Sequence, residues 1–159
     1  LKSEFILSDT LEKTCKLLSS QFKSANITIV KNIENITLNG FENEMIQVFI
    51  NILNNARDEL IKKEETIRLI LIDAKIKNNK VELSITDNAG GIPTNVIDKI
   101  FESHFTTKKD SNGTGIGLYM SKMIIEEHMN GSIEADNVNF THENISCMGA
   151  EFKITLCLD

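Results

Sequence analysis

Three stretches of this 159-residue chain carry residue types at spacings that could do chemistry. The first is Asn51, Asn55 and Asp58, at i, i+4 and i+7. At about 100° per residue they share one face of a helix, opposite the apolar positions Met45, Phe49, Ile52, Leu53, Ala56 and Leu60. Asparagine in mid-helix costs about 0.5 kcal/mol against alanine. A row of neutral amide oxygens can hold a hard cation such as Mg²⁺, although a solvated polar face has the same pattern. The second stretch, Asp87-Asn88-Ala89-Gly90-Gly91-Ile92-Pro93, follows the apolar alternation of Val81, Leu83 and Ile85. A carboxylate at a strand end can accept a hydrogen bond from an exocyclic amine. Paired glycines let a flat ligand come close to the backbone, and they are also ordinary turn residues. The third is Gly113-Thr114-Gly115-Ile116-Gly117-Leu118, which leads straight into a helical pattern. Backbone N–H groups at such a helix start can receive phosphate. It is not a P-loop, since no Lys-Ser/Thr follows the last glycine. Its G-x-G-x-G spacing, after a polar and basic stretch, does not fit the dinucleotide fingerprint either. Lys108 and Lys109 lie just upstream as point charges for phosphate oxygens. In this order, a metal-holding helix, an amine-reading carboxylate and a phosphate-cradling helix start describe one ligand, a Mg²⁺-bound adenine nucleotide.

The elements that must position these groups follow from periodicity. Asp9 is placed to cap a first helix with apolar Leu11, Cys15, Leu18 and Phe22. Ile27 and Ile29, then Ile36 and Leu38, read as two short strands. A second helix is predicted from about Glu42 to Ile61, and strands at about Thr66–Lys77 and Lys80–Thr86, with Asn78-Asn79 as their hairpin turn. Gly115 to Met129 is helical by period and closes on Asn130-Gly131. Ile133–Ala135 and Ala150–Leu158 finish as strands, while Asn137 to Met148 reads as extended or loop-like. This order is an α/β arrangement without strict β-α alternation. It predicts a mixed sheet with helices on one face.

Composition bounds the rest. The length suits a single domain over 1–159, and the net charge of −6 argues against a nucleic-acid partner. No apolar run approaches the roughly 20 residues of a membrane span, and no signal-peptide pattern is present. A soluble domain without membrane contact of its own is therefore expected. Three cysteines with no C-x-x-C spacing and three scattered histidines oppose a disulfide framework or zinc site and favour a reducing compartment. The first residue is Leu1 rather than Met, so a piece of a longer protein is expected.

Together these residues resemble a known family. Gln47-x-x-x-Asn51-Ile52-Leu53-Asn54-Asn55-Ala56 resembles the asparagine box of sensor histidine kinases, and Asp87 to Pro93 their first glycine box. Phe101-Glu102-Ser103-His104-Phe105-Thr106-Thr107-Lys108 is similar to the phenylalanine box, Gly113 to Leu118 to the second glycine box, and Gly149 to Leu156 to the last strand. The resemblance implies a two-component histidine kinase's catalytic, ATP-binding domain, of the Bergerat-type fold shared with DNA gyrase, the heat-shock chaperone ATPase and MutL. That fold is an α+β two-layer sandwich, a mixed, largely antiparallel sheet of about five strands with about three helices on one face. It also implies roles. Asn55 would be the main Mg²⁺ ligand with Asn51 in support, Asp87 would accept the adenine amino group, and Gly91 and Ile92 would lie against the base. Residues from about 94 to 112 would form an ATP lid with Thr107 and Lys108 near the phosphates, and Gly113, Thr114, Gly115, Ile116, Gly117 and Leu118 would cradle them. The implied partners are ATP, a histidine-bearing dimerisation domain and, indirectly, a response regulator, in the cytoplasm.

Departures from the family pattern are visible. Ala89 stands where many members have glycine, and Ser103 and His104 replace the usual proline and phenylalanine. Asp58 replaces a frequent lysine, which removes one phosphate contact and resembles the nitrogen-regulation branch or the hydrolysing relatives. The hydrolysing relatives place glutamate at the position of Asn51 to activate water, and an amide has no useful basicity. The residues therefore favour phosphoryl transfer over an ATP-hydrolysing switch, with a serine-phosphorylating kinase or a non-catalytic scaffold as the other readings. No catalytic nucleophile is expected within the chain. Its only His-acid dipeptide, His142-Glu143, lies in the irregular segment near the end.

Overall fold

The computed structural model describes residues 2–63, 66–103 and 117–158. Alternation in the strands decides where everything else goes. Strand β4 (Arg68–Lys77) and strand β5 (Lys80–Asp87) form a hairpin across Asn78 and Asn79, whose φ angles of 53° and 62° suit a tight primed turn. In register, Ile72 faces Ile85 and Ala74 faces Leu83. Strand β7 (Ile145–Cys157) continues the same row on the other side of β5, with Phe152 opposite Ile85 and Ile154 opposite Leu83. This face is buried, whereas Lys75, Glu82 and Lys153 share the other face, with both ammonium groups 4.0 Å from the Glu82 carboxylate. Strand β2 (Ile27–Ile33) adds to β4 in parallel and strand β6 (Ser132–His142) adds to β7 antiparallel, giving the order β2-β4-β5-β7-β6.

Helices cover the apolar face. Helix α2 (Glu42–Lys62) buries Met45, Phe49, Ile52, Leu53, Ala56 and Leu60, the stripe its periodicity predicts, with Val48 added. Helix α1 (Leu7–Ser24) joins the same core through Leu7, Leu11, Leu18 and Phe22. Helix α3 (Gly117–Met123) runs on into a wider π-type turn, Ile124–His128. Asn130 then takes the left-handed conformation at φ 52°, and Gly131 N–H reaches back to the Ile125 carbonyl at 2.9 Å, closing the helix at the Asn-Gly pair that the sequence marks. The architecture is the expected two-layer sandwich with a mixed, mostly antiparallel sheet.

Three local expectations change. Asp9 is not a cap. The helix starts three residues earlier, at Leu7 behind extended Ile6, and Leu7 N–H is taken by the Ile36 carbonyl at 2.9 Å. The cause is a short strand, β1 (Ser3–Ile6), which pairs antiparallel with strand β3 (Thr37–Gly40) as a separate two-stranded sheet and fixes where the helix begins. Second, the segment 137–148 is regular. It is the outer half of the β6–β7 hairpin, turning at Glu143 and Asn144 with φ 49° and 65°. Its side chains are mostly solvent-facing on both sides, so no apolar alternation announces it. Third, the His142-Glu143 dipeptide sits at this turn.

Candidate functional site

The inward row Val81, Leu83, Ile85 runs one step further to Asp87, so strand period alone puts a carboxylate at a core position. Asp87 is 3% exposed. Its Oδ1 accepts Ala89 N–H at 2.9 Å and Ala150 N–H at 3.3 Å. Its other oxygen makes no hydrogen bond among the described residues. Burial pushes the Asp87 carboxyl above the usual carboxylate range, assisted by the Glu59 charge, and opposed by the two backbone donors and Lys63. The chain after it is laid along β7: Gly90 N–H donates to the Met148 carbonyl at 2.9 Å. Gly90 and Gly91 both lie at positive φ, 91° and 93°. Asn88 stands in for a strand neighbour at the start of β4, accepting Leu69 N–H at 2.9 Å and donating to the Ile67 carbonyl at 2.8 Å.

The asparagine face of α2 divides by function. Asn51 is committed: its Nδ2 donates to the Gly117 carbonyl (3.0 Å) and the Ser121 hydroxyl (3.1 Å), and its Oδ1 accepts from Gln47 Nε2 (2.9 Å). It ties α2 to the first turn of α3, the helix that follows the second glycine-rich stretch. Asn55, one turn on, is half-buried and makes no hydrogen bond among the described residues. Its free amide oxygen is a suitable donor for a hard cation such as Mg²⁺. Asp58, a further turn on, is held by the Arg57 guanidinium at 3.0 Å. Arg57 in turn bonds Gln21 of α1. Among the described residues no cluster of His, Cys, Asp or Glu could by itself hold a metal ion.

Between these two sides, residues 94–103 begin the segment expected as a lid. Val96 and Ile97 N–H both return to the Pro93 carbonyl, opening a 3-10 turn at Ile97–Lys99. Phe101 packs edge-on against Phe152 of β7 with ring centroids 6.0 Å apart. The Lys122 ammonium of α3 lies 5.3 Å from the Phe101 ring centre. Thr107, Lys108, Gly113, Thr114, Gly115 and Ile116 lie outside the described residues, as does the rest of the expected lid. Gly117 and Leu118 open α3.

The sequence reading passed over three residues that shape this site. A Cβ on Gly149 would lie 1.7 Å from the Asp87 carbonyl oxygen, so only glycine lets β7 pass this close. A lone glycine inside a strand pattern is the available signal for such an approach. Ser121, fully buried, accepts from Asn51 and donates to the Gly117 carbonyl at 2.9 Å. Asn137, in the segment without a strand pattern, bonds both backbone groups of Ile92 at 2.7 and 2.8 Å.

The fold is a two-layer sandwich with a buried carboxylate at the end of β5 and an asparagine face on α2. Residues 40–159 match the family described as histidine kinase-, DNA gyrase B-, and HSP90-like ATPase, and the chain belongs to that family. The adaptive-response sensory kinase SasA of Synechocystis sp. (strain ATCC 27184 / PCC 6803 / Kazusa) is 34% identical over 82% of this chain and 34% of its own length. Sporulation kinase A of Bacillus subtilis (strain 168) is 32% identical over 86% of this chain and 22% of its own. The solved catalytic domain of histidine kinase ThkA superposes with a TM-score of 0.80 at 27% identity, covering 99% of this chain and 97% of that one. The first curated relatives are matched over 12% to 34% of their lengths, so the chain corresponds to only a minor part of each. Among the described residues no helix is long and apolar enough to cross a membrane.

Proposed function

We propose that this chain is a single domain that binds Mg-ATP and, within a longer cytoplasmic or membrane-anchored protein, donates the γ-phosphoryl group to a histidine on a separate dimerisation domain, for onward transfer to a response regulator. The observation that carries the reading is the buried Asp87 carboxylate. It holds one oxygen against two backbone donors and keeps the other for a ligand, beside a glycine pair at positive φ. A buried carboxylate suits a ligand that brings its own N–H donor, as the adenine amino group does. Gly91 and Ile92 present backbone to the base. Asn55 would hold Mg²⁺, which neutralises phosphate charge when bound. Asn51 supports it by fixing the start of α3, where Gly113, Thr114, Gly115, Ile116, Gly117 and Leu118 would receive the phosphates on backbone N–H groups. Residues 94–112 act as the lid, with Thr107 and Lys108 at the phosphates and Asp58 at the far rim.

Phosphoryl transfer asks for positioning and charge neutralisation more than covalent help. The nucleophile and its base come from the dimerisation domain. An ATP-hydrolysing role is disfavoured by Asn51, whose amide is non-basic and already bonded to Gln47, Gly117 and Ser121. The test is to incubate the full-length protein with Mg-ATP labelled at the γ-phosphate. Protein-bound label that survives alkali and is lost in acid is the expected phosphohistidine. Acid-stable label would mean a serine acceptor, and free phosphate without protein label would mean hydrolysis; either overturns the reading.

A further inference from the structure

We infer that Asn137 is a positioning residue for the adenine side of the site, acting from outside the motif that reads the base. The inference rests on the nucleotide reading above. Strand β7 pairs with β5 only as far as Thr86↔Glu151, but with β6 all the way to His142↔Ile145. Towards the hairpin tip, β7 therefore has no strand on its β5 side. The loop after Asp87 takes that place: the Asp87 carboxylate receives Ala150 N–H, and Gly90 N–H goes to the Met148 carbonyl.

Asn137 completes the arrangement. It is the β6 residue opposite Ala150. From there its amide grips the loop by both backbone groups of Ile92, Oδ1 accepting the N–H at 2.7 Å and Nδ2 donating to the carbonyl at 2.8 Å. One side chain thus does for Ile92 what a neighbouring strand would do. The grip needs an acceptor and a donor at fixed separation. A carboxylate lacks the donor, and alanine lacks both. It also bears on Gly91 from the protein side. Its φ of 93° already favours glycine, and a Cβ there would lie 2.8 Å from the Asn137 oxygen, so a side chain at 91 would also crowd the clasp. Asn137 is solvent-exposed, so the clasp can be removed without opening the core.

The test is calorimetric titration of the chain and its variants with ATP and GTP, alongside thermal melting and amide hydrogen exchange. Asn137→Ala should weaken ATP binding about tenfold, the cost of two lost hydrogen bonds, and lower the preference for ATP over GTP. Its melting midpoint should stay within about 3 °C of wild type. Asn137→Asp, which lacks the donor, should fail to restore affinity. Asn139→Ala, two residues along the same strand, should bind as wild type. The Ile92 amide should exchange faster in Asn137→Ala without nucleotide. Wild-type affinity in Asn137→Ala, or an equal loss in Asn139→Ala, overturns the proposal. A wild-type chain that binds no adenine nucleotide overturns the functional reading instead, and unchanged Ile92 exchange then overturns the clasp as well.

Discussion

The two sides of the site are built in opposite ways. On the strand side, Asp87 sits at a core position with its backbone neighbours committed: Ala89 and Ala150 donate to it, Gly149 passes against its carbonyl, and Asn137 holds the loop beyond. On the helix side, Asn51 bonds three partners while Asn55, one turn later, keeps a half-buried amide with no partner among the described residues. On the proposed reading, the half that would meet the base is preformed and the half that would hold the cation is left open. Preformation has a cost. A buried carboxylate whose pKa is raised favours the protonated native state, so its contribution to stability weakens as pH rises from the unfolded value of 3.8 through the raised one. A neutral amide at Asn55 carries no such penalty.

Substitutions can break this contrast. Gly149→Ala should have the largest effect. With a Cβ 1.7 Å from the Asp87 carbonyl oxygen, β7 or the end of β5 must shift, costing about 3 kcal/mol of stability and with it ATP binding, measured by denaturant unfolding and titration. Asp87→Asn should lower ATP affinity tenfold or more, since a charge-assisted hydrogen bond is worth roughly 1.5–3 kcal/mol. It should not lower the melting midpoint at neutral pH, because the buried charge is gone and the amide oxygen still accepts from Ala89 and Ala150. Any stability advantage over wild type should shrink as pH falls below the raised carboxyl pKa. A variant that binds ATP normally would remove the adenine assignment.

Smaller effects sharpen the contrast on the helix side. Asn51→Ala should cost about 1 kcal/mol, lowering the melting midpoint by about 3 °C, because α3 loses its tie to α2. Asn55→Ala removes no hydrogen bond among the described residues and gains helix propensity, so it should melt at or slightly above wild type. Its signature is a loss of the Mg²⁺ dependence of ATP binding. If instead Asn55→Ala destabilises the fold and Asn51→Ala does not, the division of labour along α2 is wrong.

Much of this was legible in the sequence, for identifiable reasons. The stripe on α2 and the alternation of Val81, Leu83 and Ile85 fixed both layers, and the same alternation carried to Asp87 marks the carboxylate as inward-facing. Asn78, Asn79 and Asn130 took the left-handed conformation their type favours. What stayed hidden depends on pairing between distant segments. Strand β1 is four residues long and exists through β3. The outer β6–β7 hairpin is mostly exposed, with Val138, Phe140 and His142 only half-buried, so its pattern is weak. The contribution of Asn137 follows from register alone, since nothing in Asp136-Asn137-Val138 says that Ile92 lies above it. Asn51 and Asn55 look equivalent by spacing, and the partners that separate them are Gln47 on α2 and the Gly117 and Ser121 groups brought by α3.

The most direct measurement is calorimetric titration of the chain with ATP, first with Mg²⁺ and then with the metal chelated, for wild type and Asn55→Ala. The account expects saturable wild-type binding that weakens when Mg²⁺ is removed, and Asn55→Ala binding that is the same in both conditions. Wild-type binding indifferent to Mg²⁺, or an Asn55→Ala response identical to wild type, would contradict it.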